Sequence, residues 1–257
     1  MRRYLAGRIG VLFCFIMLAS GNVHGRTFPD DNPGPDETVF PVTSGHGIEP
    51  ATVQSDRIDT TSGAGYLTSV ERQVIIEINL MRSDPSGYAK QCLVPLRSSY
   101  QGKLLKYQDQ LPILTHEGVT ALDECIRALE QARPLPIFSP SDGLTLAARD
   151  HVMEQGPTGR TGHSGSDGST LLDRLERYGN WDVSVGENIS YGFGEARAIV
   201  TALLIDDGVP SRGHRKNFLD SSFRFIGVGV GPHRVYNKMC VIDFAGGYTT
   251  SYIGRSN

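Results

Sequence analysis

Residues 223–233 read FRFIGVGVGPH, where Ile226, Val228 and Val230 alternate with Gly227, Gly229 and Gly231. Period-two alternation makes this stretch a strand. A strand with one face of bare glycine must lie against something that comes very close to its backbone. A turn across Pro232 to Lys238 leads into MCVIDFAGGY, a second strand. Upstream the period lengthens. Leu67, Val70, Val74, Ile78 and Met81 in LTSVERQVIIEINLMRSDP fall at steps of three and four, one face of a helix. Thr68 and Glu71 form a capping-box pair at its start, and Asp84-Pro85 closes it. A second helix fits residues 116–131. A third fits SDGLTLAARDHVMEQGP, capped by Ser141 or Asp142 and stopped at Gly156-Pro157. A fourth fits STLLDRLERYG, ended by Gly179. Helices come early and strands late, without βαβ alternation. The class is therefore α+β with an antiparallel sheet.

The two ends of the chain lie outside that pattern. Arg2, Arg3 and Arg8 precede the apolar run Ile9 to Ala19, which is too short to span a bilayer. Val23-His24-Gly25 offers a cleavage site, so residues 1–25 read as a secretory signal peptide; a retained anchor is the other reading. Cys14 inside the run lacks the small residues of a lipid-attachment box. Residues 26–65 hold ten Pro plus Gly and no periodic apolar pattern, the composition of a disordered linker. The folded domain then spans 66–250, with a tail over 251–257. Three of the 25 Lys and Arg lie in the leader, so the mature chain keeps 22 basic against 28 acidic residues, a balance of −6. A mildly acidic exported chain without a basic run is a poor nucleic-acid binder. Nothing after the leader is long and apolar enough to cross a membrane. Cys92, Cys125 and Cys240 allow one disulfide at most. Cys125 also lies on the apolar stripe of Val119, Leu122, Ile126 and Leu129, where a buried thiol acts as a small apolar residue.

Glycine recurs at 156, 159, 162, 165 and 168. So few triplets cannot sustain a collagen helix, and a glycine-rich loop with His163 at its middle is the better reading. In EARAIVTALLI, Ala196, Ile199, Val200, Leu203 and Leu204 form a helical face that ends at Asp206 and Asp207. Carboxylates at a helix carboxyl end oppose the dipole by about 0.3–1 kcal/mol each. Asp207-Gly208 can be an exit turn. Ser211 can cap a following short helix, which puts His214 in the first turn, where neutral imidazole is favoured. That form binds metals or accepts protons. In WDVSVGENISYG, Glu187 shares parity with Trp181, Val183, Val185, Ile189 and Tyr191, so in an extended segment it is buried and must be paired, protonated or bound. His151 lies on a helical stripe with Leu144, Ala148 and Gln155 and reads as a satisfied core histidine. His116-Glu117 lacks a second histidine, since Thr120 takes its place. Gly162-His163-Ser164-Gly165 does not make a nucleophile elbow.

The pieces EINLMRSDPSGYA, AARDHVMEQG, GHSGSDGS, GENISYG, RGHRKNF and IGVGVG together resemble the CAP superfamily. Its members include cysteine-rich secretory proteins, insect venom antigens and plant pathogenesis-related proteins, and the bacterial SCP-like extracellular branch is the nearest in pattern. The resemblance covers about residues 66–250. It implies a three-layer α-β-α sandwich with a central antiparallel sheet and a cleft holding two histidines and two acids. His163 and His214 match the histidines and Glu187 the first acid. The second acid, usually glutamate, falls on Asp206 or Asp207. The eukaryotic disulfides and cysteine-rich extension are missing. The implied function is a secreted module that binds a lipid, sterol or extracellular protein. It requires no cofactor and leaves room at His163 and His214 for Zn²⁺ or another divalent ion. The alternative is a metal-dependent hydrolase or protease using His163, Glu187 and His214. A metal-free hydrolase using Ser164 or Ser211 is a third reading. No catalytic residue follows from the sequence.

Overall fold

The computed structural model describes residues 58–106 and 112–251, together with the backbone of residues 23–24. Apart from those two residues, the leader and residues 26–57 of the linker lie outside the described residues, as do residues 252–257 of the tail. In chain order the elements are β1 (Val23–His24), α1 (Ser69–Ser83) and a single turn α2 (Pro85–Tyr88) that runs on into π and 3-10 turns over Ala89–Ser99. Short strands β2 (Tyr100–Gln101), β3 (Leu104–Leu105) and β4 (Ile113–Leu114) follow, then α3 (Val119–Gln131) and β5 (Ser139–Pro140). The remainder is α4 (Asp142–Thr158), α5 (Leu171–Glu176), β6 (Gly179–Tyr191), α6 (Ala196–Ile205), α7 (Gly213–Leu219), β7 (Phe225–His233) and β8 (Asn237–Thr250).

The main sheet has the order β1-β6-β8-β7-β5. β6, β8 and β7 are antiparallel neighbours, while the two-residue β5 runs parallel to β7. Alternate residues of β7 and β8 enter different cores, so the sheet is the middle of three layers. Ile226, Val228, Ile242 and Phe244 pack with Ile75 and Ile78 of α1, Leu122 of α3 and Ile199 of α6. Val241 and Met239 pack on Ala148 and Val152 of α4 from the opposite side. The glycine face of β7 has the close neighbour its pattern requires. A Cβ on Gly227 would stand 2.1 Å from the Leu144 carbonyl carbon of α4, and one on Gly229 2.8 Å from that of Ala148.

Local signals explain most of the element ends. Thr68 accepts the Glu71 N–H while Glu71 accepts the Thr68 N–H, so the capping box of α1 is closed. Asp84 ends α1 and caps α2 by accepting the Gly87 N–H at 2.9 Å. Three expectations need correction. α4 does not stop at Gly156-Pro157: it reaches Thr158 and ends on left-handed Gly159, φ 74°. A proline in the last turn removes one hydrogen bond that the turn can lose, and Gly159 supplies the exit conformation. Ser141 stands at the N-cap position of α4 without a side-chain cap bond, its hydroxyl facing Thr250 instead. Residues 58–65, given to the linker by composition, are packed. The Ile58 and Thr61 side chains are buried, and Asn79 of α1 donates to the Ile58 carbonyl at 3.2 Å. Polar side chains from α1 satisfy backbone there that composition alone leaves to solvent. Cys92, Cys125 and Cys240 are all free thiols, so the allowed disulfide is not formed.

Candidate functional site

His163 is held by its loop before its own side chain is considered. The Gly162 carbonyl accepts from Gln155 of α4 at 2.7 Å and lies 2.9 Å from His151 Nε2, while the Gly162 N–H donates to the Tyr191 hydroxyl at 2.9 Å. A carbonyl only accepts, so His151 Nε2 carries the proton. His151 is fully buried, and burial lowers its pKa below the usual imidazole value, keeping it neutral. It is a core histidine that anchors the loop.

Glu187 sits on β6 and faces that loop. The parity expected of this strand breaks at Val183, which has φ 71° at a bulge and is exposed. Beyond the bulge Val185, Glu187, Ile189 and Tyr191 are all buried. His163 Nδ1 is 2.7 Å from Glu187 Oε1, and Arg174 Nη2 donates to Oε2 at 2.7 Å. Arg174 Nη1 also donates to the His163 carbonyl at 3.1 Å, so one guanidinium grips both partners. Burial pushes the Glu187 carboxyl upward, but the His163 hydrogen bond and the Arg174 charge outweigh it and hold the group below its ordinary range. Sequence reasoning missed Arg174. Its signal was the spacing Leu171, Arg174, Leu175 in LLDRLER, a cation on the inward stripe of a helix.

The second pair is built from two helix ends. α6 finishes on Asp206 in the left-handed conformation, φ 57° and ψ 41°. That turn aims the side chain away from α6 and onto α7. Oδ1 lies 2.7 Å from His214 Nδ1, and Oδ2 accepts the backbone N–H of His214 at 3.0 Å. The carboxylate that opposes one helix dipole therefore satisfies the amino end of the next. Ser211 is not that cap: Arg212 occupies the N-cap position in a left-handed conformation, φ 49°. Asp207 turns elsewhere and accepts the N–H groups of His116 and Glu117 at 2.6 and 2.8 Å. Of the two aspartates, Asp206 is the one on His214. Arg212, paired with Glu117 at 2.7 Å and Glu124 at 2.6 Å, ties this corner to α3 and the loop before it.

Both pairs meet at one place on β6. Asn188, next to Glu187, donates to the His214 carbonyl at 3.0 Å, and Asn217 of α7 donates to Asn188 Oδ1 at 2.8 Å. Successive strand residues point to opposite faces, so β6 holds the His163 ring through Glu187 on one face and the backbone of His214 through Asn188 on the other. A carboxylate can only accept, hence Nδ1 of each histidine bears a proton, and in the neutral ring Nε2 is the nitrogen with the lone pair. Nε2 is then the atom able to bind a metal or take a proton. Both oxygens of Glu187 and both of Asp206 are already engaged. Among the described residues no group of three or more His, Cys, Asp or Glu side chains is disposed around a common metal position. The imidazole bonds run to Glu187 and Asp206, and neither Ser164 nor Ser211 joins them.

A separate hollow lies between α6 and the small sheet of β2, β3 and β4. Its two adjoining lobes, about 400 and 270 Å³ counted out to solvent, share Leu105, Phe193, Ala202 and Ile205. Tyr100, Thr115 and Asp207 add the polar groups of the larger lobe.

The sequence model of the family described as "CAP: Cysteine-rich secretory protein family" matches residues 77–244. Among solved structures, an extracellular protein containing an SCP domain from Bacillus anthracis is 28% identical, with a TM-score of 0.36 over 43% of this chain. The chain spans 34% of that protein's length. An outer surface protein of Borrelia burgdorferi is 20% identical with a TM-score of 0.35, covering 48% of this chain and 86% of its own. No curated protein matches the chain. The family match takes in Glu187, Asp206, His163 and His214 alike, and the chain belongs to the CAP, or cysteine-rich secretory protein, family.

Proposed function

We propose that the chain is an exported binding module that holds a slender apolar molecule, a lipid tail or sterol, in the hollow between α6 and the small sheet. The lining of that hollow carries the reading. Small-molecule sites are concave and mostly apolar with a few polar groups. Leu105, Phe193, Ala202 and Ile205 fit that description, with Tyr100 and Thr115 available to a polar head. A concave apolar hollow suits a small molecule better than a protein surface. Export is read from the basic and apolar leader. The test uses cis-parinaric acid, a fluorescent fatty acid, with the purified chain. Saturable binding is expected, and Ala202→Phe should weaken it at least tenfold, about 1.4 kcal/mol, while His163→Ala leaves it unchanged. Unaltered binding by a folded Ala202→Phe variant refutes the site.

A second reading concerns a divalent ion at His163 and His214. It is favoured by the carboxylate on each Nδ1, the arrangement that orients metal-binding imidazoles and raises their basicity. The two Nε2 atoms would hold the ion, with water completing its shell. A bound zinc-like ion supplies Lewis acidity and an acidified water, which is what the hydrolase alternative needs. With two imidazoles and no third side chain gathered among the described residues, binding is expected to be weak. Calorimetric Zn²⁺ titration should show one weak site in the parent and none in the His163→Ala/His214→Ala double variant. Equal uptake by both proteins sinks the idea.

A further inference from the structure

Asp243 of β8 stands directly across from Glu187 of β6, with Gly227 of β7 as its other neighbour. Cross-strand partners of one face have Cβ atoms about 4.5–5.5 Å apart. Both acids are sealed from water, Glu187 at 1% exposure and Asp243 at 0%. Neither oxygen of Asp243 receives a hydrogen bond. Arg174 is the one guanidinium on Glu187, and it is already divided between Glu187 and the His163 carbonyl. The other titratable groups near this pair are His151 of α4, His163, Tyr191 of β6, and Cys240 and Tyr248 on β8 itself. None of them donates a hydrogen bond to Asp243.

We propose that Asp243 is a neutral carboxylic acid that donates its proton in a hydrogen bond to Glu187, and that it thereby positions His163. Two facing carboxylates cannot both stay charged in a dry interior served by a single cation. The one lacking any donor is the one that keeps its proton, since a buried carboxylate without partners is the costlier charge. Burial, followed by the Glu187 charge, pushes the Asp243 carboxyl well above its ordinary value, against the pull of Arg174. Glu187 then accepts from three sides: the His163 ring, Arg174 and Asp243. A carboxylate fixed by three donors cannot swing, so it fixes the ring that bonds to it. Asp243 touches no ligand position itself; it acts through Glu187, one layer further in. The inference concerns the free protein and stands apart from which molecule or ion the module holds.

Carbon-13 NMR of the full chain at neutral pH reads the protonation directly. The Asp243 carboxyl carbon is expected at the shift of a neutral acid, and an ionised shift there overturns the proposal. Nitrogen-15 shifts of His163 read the positioning. Asp243→Asn keeps a donor, so His163 should remain in the Nδ1-protonated tautomer. Asp243→Ala removes the donor, and a second tautomer or a mobile ring should appear. If Asp243→Ala leaves the His163 tautomer and ring order as in the parent, the positioning role is wrong. Should that variant not fold, the parent spectrum and the Asp243→Asn spectrum still decide: loss of the tautomer in Asp243→Asn refutes the donor role.

Discussion

Asp206 joins two helices through one carboxylate, and replacing it tests that geometry. Asp206→Ala removes three things. The amino end of α7 loses an acceptor for the His214 N–H, held at 3.0 Å, a capping loss of about 1 kcal/mol. The buried Nδ1–H of His214 loses its partner at 2.7 Å, which costs about 1–3 kcal/mol for a donor left dry. Alanine in place of aspartate at φ 57° adds about 1 kcal/mol, because a residue without a polar side chain is disfavoured in the left-handed region. The sum is about 3–5 kcal/mol, a large share of the usual 5–15 kcal/mol of a domain. Asp206→Asn tolerates the left-handed backbone and keeps one oxygen. It can serve the His214 N–H or the ring, not both, so about 1–2 kcal/mol should be lost. Urea unfolding followed by circular dichroism should order the proteins parent, Asn, Ala, with unchanged denaturant slope. An Ala variant within about 0.5 kcal/mol of the parent, the ordinary range for surface changes, would mean that the carboxylate is not the cap, and the account of this corner would fail.

Two further outcomes follow from the packing and the buried acids. Gly227→Ala would force a Cβ to 2.1 Å from the α4 backbone at Leu144, so thermal unfolding should show a loss of at least about 1–3 kcal/mol, the usual cost of overpacking; a neutral effect would mean that α4 does not rest on this strand. Asp243, raised by burial and the Glu187 charge, binds its proton more tightly when folded than when unfolded. Its contribution to stability is therefore full below the ordinary aspartate range and declines as pH rises above it. Asp243→Asn cannot titrate, so its unfolding midpoint should improve relative to the parent between pH 4 and pH 8, values that span the region above the ordinary aspartate pKa of about 3.9. A pH-independent difference between the two would count against the neutral acid.

The parts of the fold legible in the sequence are those whose cause is local. Thr68 and Glu71 announce the start of α1 within four residues, and the closed capping box follows. The glycines of β7 announce a close neighbour, and α4 is that neighbour. β2, β3 and β4 were not legible, because a two-residue strand has no period to detect. The extra turn of α4 past Pro157 was missed for a related reason. A proline rule reads the lost N–H, while the helix end is set by where a glycine can turn left-handed.

The site divides along the same line. His163, Glu187, Asp206 and His214 stood out because each is a polar residue in a locally unusual setting. Arg174 and Asp243 did not, although the structure gives both a part in holding Glu187. Arg174 looked like one more charge on a polar helix. Asp243 looked like a polar position in a strand. Yet its neighbours Val241, Ile242, Phe244 and Ala245 are all buried, and a strand buried on both faces has no solvent side to which an acid could be assigned. An ionisable residue inside such a run should be taken as paired or neutral before any partner is known. Which of the two holds depends on the residue across the sheet, and β6 reaches that position only through a pairing that no local pattern encodes. Asp243 faces Glu187, itself already bound to Arg174, and that choice of neighbour decides that one carboxyl stays charged and the other keeps its proton.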